Sequence, residues 1–191
     1  MTRVWSRRRS RGQSLVEMAL AMPLFLMLTL GTADGGRAFF YREAVTNAAR
    51  QALREAVSDN NNGTQPYAGN QACSGVSSGA VSKQAHIPWQ SGDPAYLSTI
   101  ANAAALESSA DGTVGGSKIS GALLTVTWHC TGGVAVTNST NGGVTDPGNV
   151  ASDSIQVQVS YNFNLITPLV ANLFGSSHPA IGATVFGRVE Y

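Results

Sequence analysis

The sequence predicts an α+β chain in which one long N-terminal helix, apolar in its first half and amphipathic in its second, packs on a small three-stranded antiparallel sheet. Three observations carry this. Ser14 to Ala33 contains one ionisable side chain, Glu17. Residues 34–57 continue without proline, are rich in Ala, Arg, Glu and Gln, and place Tyr41, Val45, Ala48, Ala52 and Ala56 on one face of a helix. Beyond residue 118 the period changes from helical to alternating, most cleanly in 154–164, where Ile155, Val157, Val159, Tyr161 and Phe163 share one side.

The apolar run sets the cellular context. At about 1.5 Å per residue, a helix from Ser14 to Ala33 reaches roughly 30 Å, the hydrocarbon thickness of a bilayer. In lipid the backbone must satisfy its own hydrogen bonds, which selects an α-helix at this length. Arg3, Arg7, Arg8, Arg9 and Arg11 precede it with no acidic residue, while Asp34, Arg37, Arg42 and Glu43 mix behind it. The positive-inside bias then holds the N-terminus in the cytoplasm and sends the rest of the chain across a single-pass anchor. Two other readings fit the same run. Gly31-Thr32-Ala33 forms a small-x-Ala site after an apolar core, as in a cleaved secretory signal. A buried core helix of a soluble protein is the other, although such helices rarely stay apolar on every face for five turns. Pro23 predicts a kink inside the span, and Gly31, Gly35 and Gly36 predict a hinge at its exit.

The chain then divides into a basic leader (1–12), a transmembrane helix (13–33), its amphipathic continuation (34–57) and an extracytoplasmic α+β domain (58–191). Charged residues make up 12% of the chain and the formal net charge is +1, with the arginines of the leader a large part of the basic total, so no nucleic-acid footprint remains in the domain. Residues 58–90 read as loop. Asp93 as N-cap and Pro94 at the first helical position predict a second helix over 94–110, closed by Gly112. Strands are predicted over 119–129, 154–164 and 180–191, with a short turn of helix after Pro168. Cys73 and Cys130 both fall on the outer side of the membrane. Paired there, they would close a loop of nearly sixty residues, worth roughly 4 kcal/mol in the chain-entropy model; two buried free thiols are the other reading.

The chemistry-bearing residues point away from an enzyme. His86, His129 and His178 are far apart and in no metal-ligand spacing, and no nucleophile elbow, phosphate loop or dinucleotide fingerprint is present. Trp128-His129-Cys130 is a local cluster, but alternation along a strand sends His129 and Cys130 to opposite faces. No cofactor or metal is expected. The sequons at Asn62 and Asn138 read as loop.

A basic leader, a glycine, a glutamate five residues on, a proline-containing apolar span, a long helix and a small antiparallel sheet together resemble type IV pilin-like proteins. The run RGQSLVEMALAMPLFLMLTLGTADGGRAFFYREAVTNAARQALREA, Arg11 to Ala56, resembles the TadE-like family of the tight-adherence (Tad) pilus system, and VQVSYNFNLITPLVANLFG and ATVFGRVEY are compatible with it. The resemblance implies a pilin-like fold and a minor pilin or pseudopilin of the bacterial cytoplasmic membrane, serving adherence or secretion and entering a surface pilus. It implies that a prepilin peptidase cuts after Gly12, that Gln13 becomes the new N-terminus, and that Glu17, as its fifth residue, meets the freed α-amine of the same or a neighbouring subunit. The implied partners are the lipid bilayer, other pilin-like subunits, the Tad assembly machinery and the peptidase. Met18 stands where the major Tad pilins carry Tyr, which speaks against a major pilin. The alternative is a membrane-anchored extracytoplasmic binding or adhesion protein, its ligand held by loops 58–92 and 131–152 with Tyr67, Trp89 and Tyr96.

Overall fold

The computed structural model describes residues 11–58, 72, 79–130, 150–166, 175 and 178–187. Helix α1 runs from Arg11 to Ser58. Strand β1 (Gly79–Ile87) is followed by a 3-10 turn (Ala95–Leu97), helix α2 (Ser98–Glu107) and a second 3-10 turn (Val114–Gly116), then by strands β2 (Ala122–Cys130), β3 (Val150–Asn162) and β4 (Ala180–Gly187).

The α+β class and the antiparallel sheet are as expected, but the sheet has four strands, ordered β1-β2-β3-β4, and not three. The additional strand is β1, which lies in the stretch read as loop. Its inward positions are Val81, Lys83, Ala85 and Ile87, so a lysine and an alanine dilute the apolar alternation that marks a half-buried strand. Pairing with β2, Gly79↔Cys130 through Ile87↔Ala122, supplies the hydrogen bonds that its own sequence pattern does not advertise. A half-buried lysine on an edge strand also discourages pairing with another chain. The other strands lie close to their predicted places; β2 starts later because Gly121 turns there at φ +84°, its N–H donating to the Ile87 carbonyl at 2.8 Å.

Alternation along the strands makes one dry face and one wet one. Ala85, Ile87, Ala122, Leu124, Val126, Trp128, Ile155, Val157 and Val159 are buried, while Ser82, Gln84 and Gln158 face solvent with Thr125 and Thr127 half-exposed among them. On the wet face Ser82 and Thr127 share a hydroxyl hydrogen bond of 2.8 Å across β1 and β2. Ile155, Val157, Val159 and Phe163 are buried and Tyr161 is packed against the core, as the alternation predicts.

The dry face is covered by the second half of α1 together with α2. Val45, Ala48, Ala49 and Ala52 of α1 and Ile100, Ala101, Ala104 and Ala105 of α2 have no exposed surface. Alanine stripes on both helices permit close backbone approach, because no side chain beyond Cβ holds the axes apart. Leu53 packs tightly on β4: a Cβ at Gly187 would fall 2.8 Å from its Cδ1, so glycine is the residue that allows this approach.

Helix α1 passes unbroken through Pro23 and through Gly31, Gly35 and Gly36, so the expected hinge is not a break in the helix. Its threonines are satisfied internally, Thr29 Oγ1 donating to Phe25 O and Leu26 O and Thr32 Oγ1 to Leu28 O.

Asp93 does not cap α2. Its carboxylate turns back to accept the His86 N–H at 2.8 Å, the Gln90 N–H at 3.1 Å and the His86 Nδ1–H at 2.9 Å, bracing the turn that leaves β1. The 3-10 turn Ala95–Leu97 begins after Pro94 instead, and α2 starts at Ser98 and ends at Glu107, inside the predicted 94–110. Residues 131–149 and 167–174, including the turn expected after Pro168, lie outside the described residues, as do the last residues of the predicted 180–191 strand.

Two outcomes test this packing. Ala52→Leu inserts three carbons between α1 and its cover and should lower stability by about 1–3 kcal/mol, read from the urea midpoint of the full chain. Burial raises the Asp93 carboxyl, but the two backbone N–H groups and the His86 ring outweigh it and hold the pKa below its ordinary 3.8. The folded state therefore takes up the proton less readily than the unfolded chain. This stabilisation is fully present above that unfolded value and is lost as pH falls through the lower folded one. Asp93→Asn should flatten the fall in melting temperature below about pH 4.

Candidate functional site

The distinctive surface of the molecule is α1 itself. Leu15, Leu20, Leu24 and Leu28 are each 69–75% exposed, and none of the side chains in the most apolar window of the helix is buried inside the chain. Apolar area left open at about 25 cal/mol per Å² is too costly to stand in water over five turns. One helix of the described chain is long and apolar enough to cross a membrane, and this is it.

Glu17 lies in the second turn of that helix, exposed among Val16, Met18 and Leu20. A carboxylate placed there in hydrocarbon costs several kcal/mol unless it finds a cation or takes a proton. Gly12 and Gln13 occupy the first turn, both exposed, and a side chain at Gly12 would meet nothing within 4 Å. The three residues singled out from sequence therefore share one accessible end of the helix within two turns.

At the other end of the apolar run sits a feature the sequence did not flag. Asp34 is 2% exposed and is the first buried residue of α1, directly after the apolar segment. Its Oδ1 accepts the backbone N–H of Ile166 at 3.3 Å and lies 3.7 Å from Arg37 Nη1 one turn on. The Arg37 guanidinium stacks over the Phe163 ring at 5.2 Å. Tyr41 stacks on Tyr161 at 5.2 Å and leans on Phe163 at 5.4 Å. Burial, then the neighbouring Tyr41, pushes the Tyr161 hydroxyl above its usual range, with Arg37 acting against them. These contacts bind the chain leaving β3 to the helix where its apolar part ends. The i, i+3 spacing of Asp34 and Arg37 was visible in sequence, but the partner, 132 residues away, was not.

The remaining candidates are placed as follows. His129 is exposed and Cys130 buried, on opposite faces of β2. Cys130 is disulfide-bonded; Cys73 lies outside the described residues. Trp89 and Tyr96 pack against the hydrophobic core, with the Trp89 indole N–H donating to the Pro94 carbonyl at 3.2 Å, so they are not free aromatic groups of a binding loop. Tyr67 lies outside the described residues. The His86–Asp93 pair is occupied with its own turn. Among the described residues no three of His, Cys, Asp and Glu gather as a metal site.

Removing the Asp34 carboxylate should loosen this junction. Asp34→Ala leaves the Ile166 N–H without its acceptor and the half-buried Arg37 without its counter-ion, and should cost about 1–3 kcal/mol. Amide exchange at Ile166 should accelerate more than exchange in the centre of β2, which distinguishes local release from global loss.

Comparison with known proteins bears on the helix. The family model described as TadE-like protein matches residues 12–54, from the exposed glycine through the alanine stripe. The match ends within α1, so the sheet lies outside it. Neither the curated proteins nor the solved structures give a match.

Proposed function

From the premise that residues 12–54 are a TadE-like segment, which ties the chain to Tad pilus-associated proteins, we propose that it acts as a minor pilin or pseudopilin in assembly of a Tad pilus. It is a structural subunit and performs no catalysis. The observation that carries the reading is the pairing of that match with a wholly exposed apolar helix holding Glu17 near its start.

In this reading α1 crosses the bacterial cytoplasmic membrane from Gln13 to Ala33, with the arginine-rich leader in the cytoplasm and the α+β domain outside. A prepilin peptidase cleaves between Gly12 and Gln13 on the cytoplasmic side. The α-amine so created carries a positive charge about one turn from Glu17, near enough to compensate the carboxylate in its own subunit or in the next. The exposed apolar face is then shared between lipid and the helices of other pilin-like subunits, which exchange for one another at little hydrophobic cost, so that association turns on close packing and on the charge pair. Outside the membrane, oxidation joins Cys130 to Cys73 and ties the chain before β1 to the end of β2.

The N-terminal mass of the protein recovered from a Tad-competent host tests the processing step. A start at Gln13 is expected. A start at Asp34 would mean a cleaved secretory signal and would remove the anchor, and with it the whole reading. A start at Met1 would strike out the peptidase and the α-amine but not the anchor. Glu17→Ala should lower incorporation of the subunit into the assembly at unchanged expression. Normal pilus number and incorporation in that variant would show that the carboxylate has no part in assembly.

A further inference from the structure

The globular part does not stand off from the apolar run on a stalk. The first buried residue, Asp34, follows that run immediately, and the helix is continuous across the junction. Whatever height the span takes in a bilayer is therefore imposed on the base of the domain.

That base has a distinct composition. Phe39 is 71% exposed, Phe40 49% and Ile166 63%. Ile166 is held beside Asp34 by its own N–H, and Phe40 lies edge-on to Tyr41, which in turn packs on Phe163. Lys118, from the loop after α2, places Nζ over the Phe40 ring at 4.6 Å, and Arg42 is exposed two residues further along the helix. Three large apolar side chains from two separate parts of the chain thus stand open to solvent along the first turns of α1 beyond Asp34, with cations among them. The acidic groups at this level are Asp34, which is buried and engaged with Arg37, and the exposed Glu43. At about 1.5 Å per residue, the Phe40 Cα lies roughly 10 Å beyond Ala33, and because helical side chains lean back toward the helix N-terminus its ring falls toward the headgroup layer, about 5–7 Å deep, of a bilayer spanned by residues 13–33.

We propose that the domain rests on the phospholipid headgroups of the bilayer that α1 spans, with Phe39, Phe40 and Ile166 entering the headgroup layer and Lys118 and Arg42 meeting lipid phosphates. The inference rests on the membrane-span reading. Aromatic side chains favour this depth because the ring is apolar while the interface around it is polar, and a neighbouring cation gains both phosphate contact and the ring face. The apolar exposure, costly in water, is then satisfied by the same bilayer that covers the helix below it. Docking of this kind would hold the sheet at a set height while the subunit is in the membrane and would be broken when the helix leaves it.

Tryptophan introduced singly as a depth reporter tests this in the full chain, reconstituted in vesicles of phosphatidylcholine and phosphatidylglycerol. The variants are Phe40→Trp, Ile166→Trp and, should either fold poorly by near-UV dichroism, Phe39→Trp. Phe186→Trp, on the exposed outer face of the sheet, is the reference outside the membrane, and Leu24→Trp the reference inside it. Fluorescence is read as the difference from the parent chain. Phosphatidylcholine brominated near the headgroup should quench positions 40 and 166 severalfold more than position 186, and phosphatidylcholine brominated near the chain ends should quench position 24. Quenching at 24 with 40 and 166 behaving like 186 overturns the docking and leaves the span intact. No quenching at any position, 24 included, overturns both. Positions 40 and 166 shielded from brominated lipid and from aqueous acrylamide alike would mean that protein covers this surface, which also overturns the proposal.

Discussion

The structure depends on one constraint: a single continuous helix carries a wholly exposed apolar half and a packed amphipathic half. Over its first half α1 presents apolar side chains on all sides and satisfies its backbone and threonine hydroxyls within itself, as a helix in hydrocarbon must. Over its second half it presents an alanine stripe to a sheet and charged residues to water. The backbone is the same throughout, so the division is made by side chains alone. The rest of the fold follows from the second half. A four-stranded sheet with one dry face needs a cover, and α1 and α2, both lined with alanine, lie near enough to exclude water without large side chains.

Asp34 marks the point of exchange between the two regimes. A carboxylate is costly in lipid and costly when buried in protein, yet here it is 2% exposed at the start of the packed half. The cost is offset by what it accepts: the Ile166 N–H, with Arg37 one turn away, itself stacked on Phe163. The arrangement ties a segment distant in sequence to the helix at the level where the apolar run stops. Moving Asp34 by one turn in either direction would put it among the exposed apolar side chains or away from the strand end that it holds.

Much of this was legible beforehand, because the features with strict periods report themselves. The 3.6-residue repeat of Val45, Ala48, Ala52 and Ala56 and the two-residue repeat of Ile155, Val157 and Val159 named buried faces correctly. What was lost is what pairing decides. Strand β1 carries Lys83 and Ala85 at inward positions and becomes a strand because β2 offers its edge, which no local pattern in 79–87 announces. Asp93 before Pro94 has the local form of a helix cap, but the backbone N–H groups of His86 and Gln90 compete for the same carboxylate and win, since three donors converge on it. At the N-terminal end of α1, Gly12, Gln13 and Glu17 share two exposed turns, as their spacing in sequence implies. The Asp34–Ile166 contact was not legible, because its members are joined only by the folded chain.

In the reading proposed above, in which the chain is a membrane-inserted pilus subunit, the same geometry constrains how that subunit works. The helix does not break at Gly31, Gly35 or Gly36, and the domain is gripped from Asp34 onward, so no linker separates the apolar run from the packed part of the chain. A subunit drawn out of the bilayer by its helix brings its domain with it and does not first uncoil a linker. The apolar face released from lipid would then have to be covered by other helices at once, because the exposed Leu, Met, Phe and Val side chains from Leu15 to Leu30 cannot persist in water. Glu17 adds direction to that exchange. Small residues and aliphatic side chains pack in many registers with similar energy, whereas a carboxylate seeking one positive charge favours the register that supplies it. In that proposed assembly packing would provide the association, and the single charge would select its alignment.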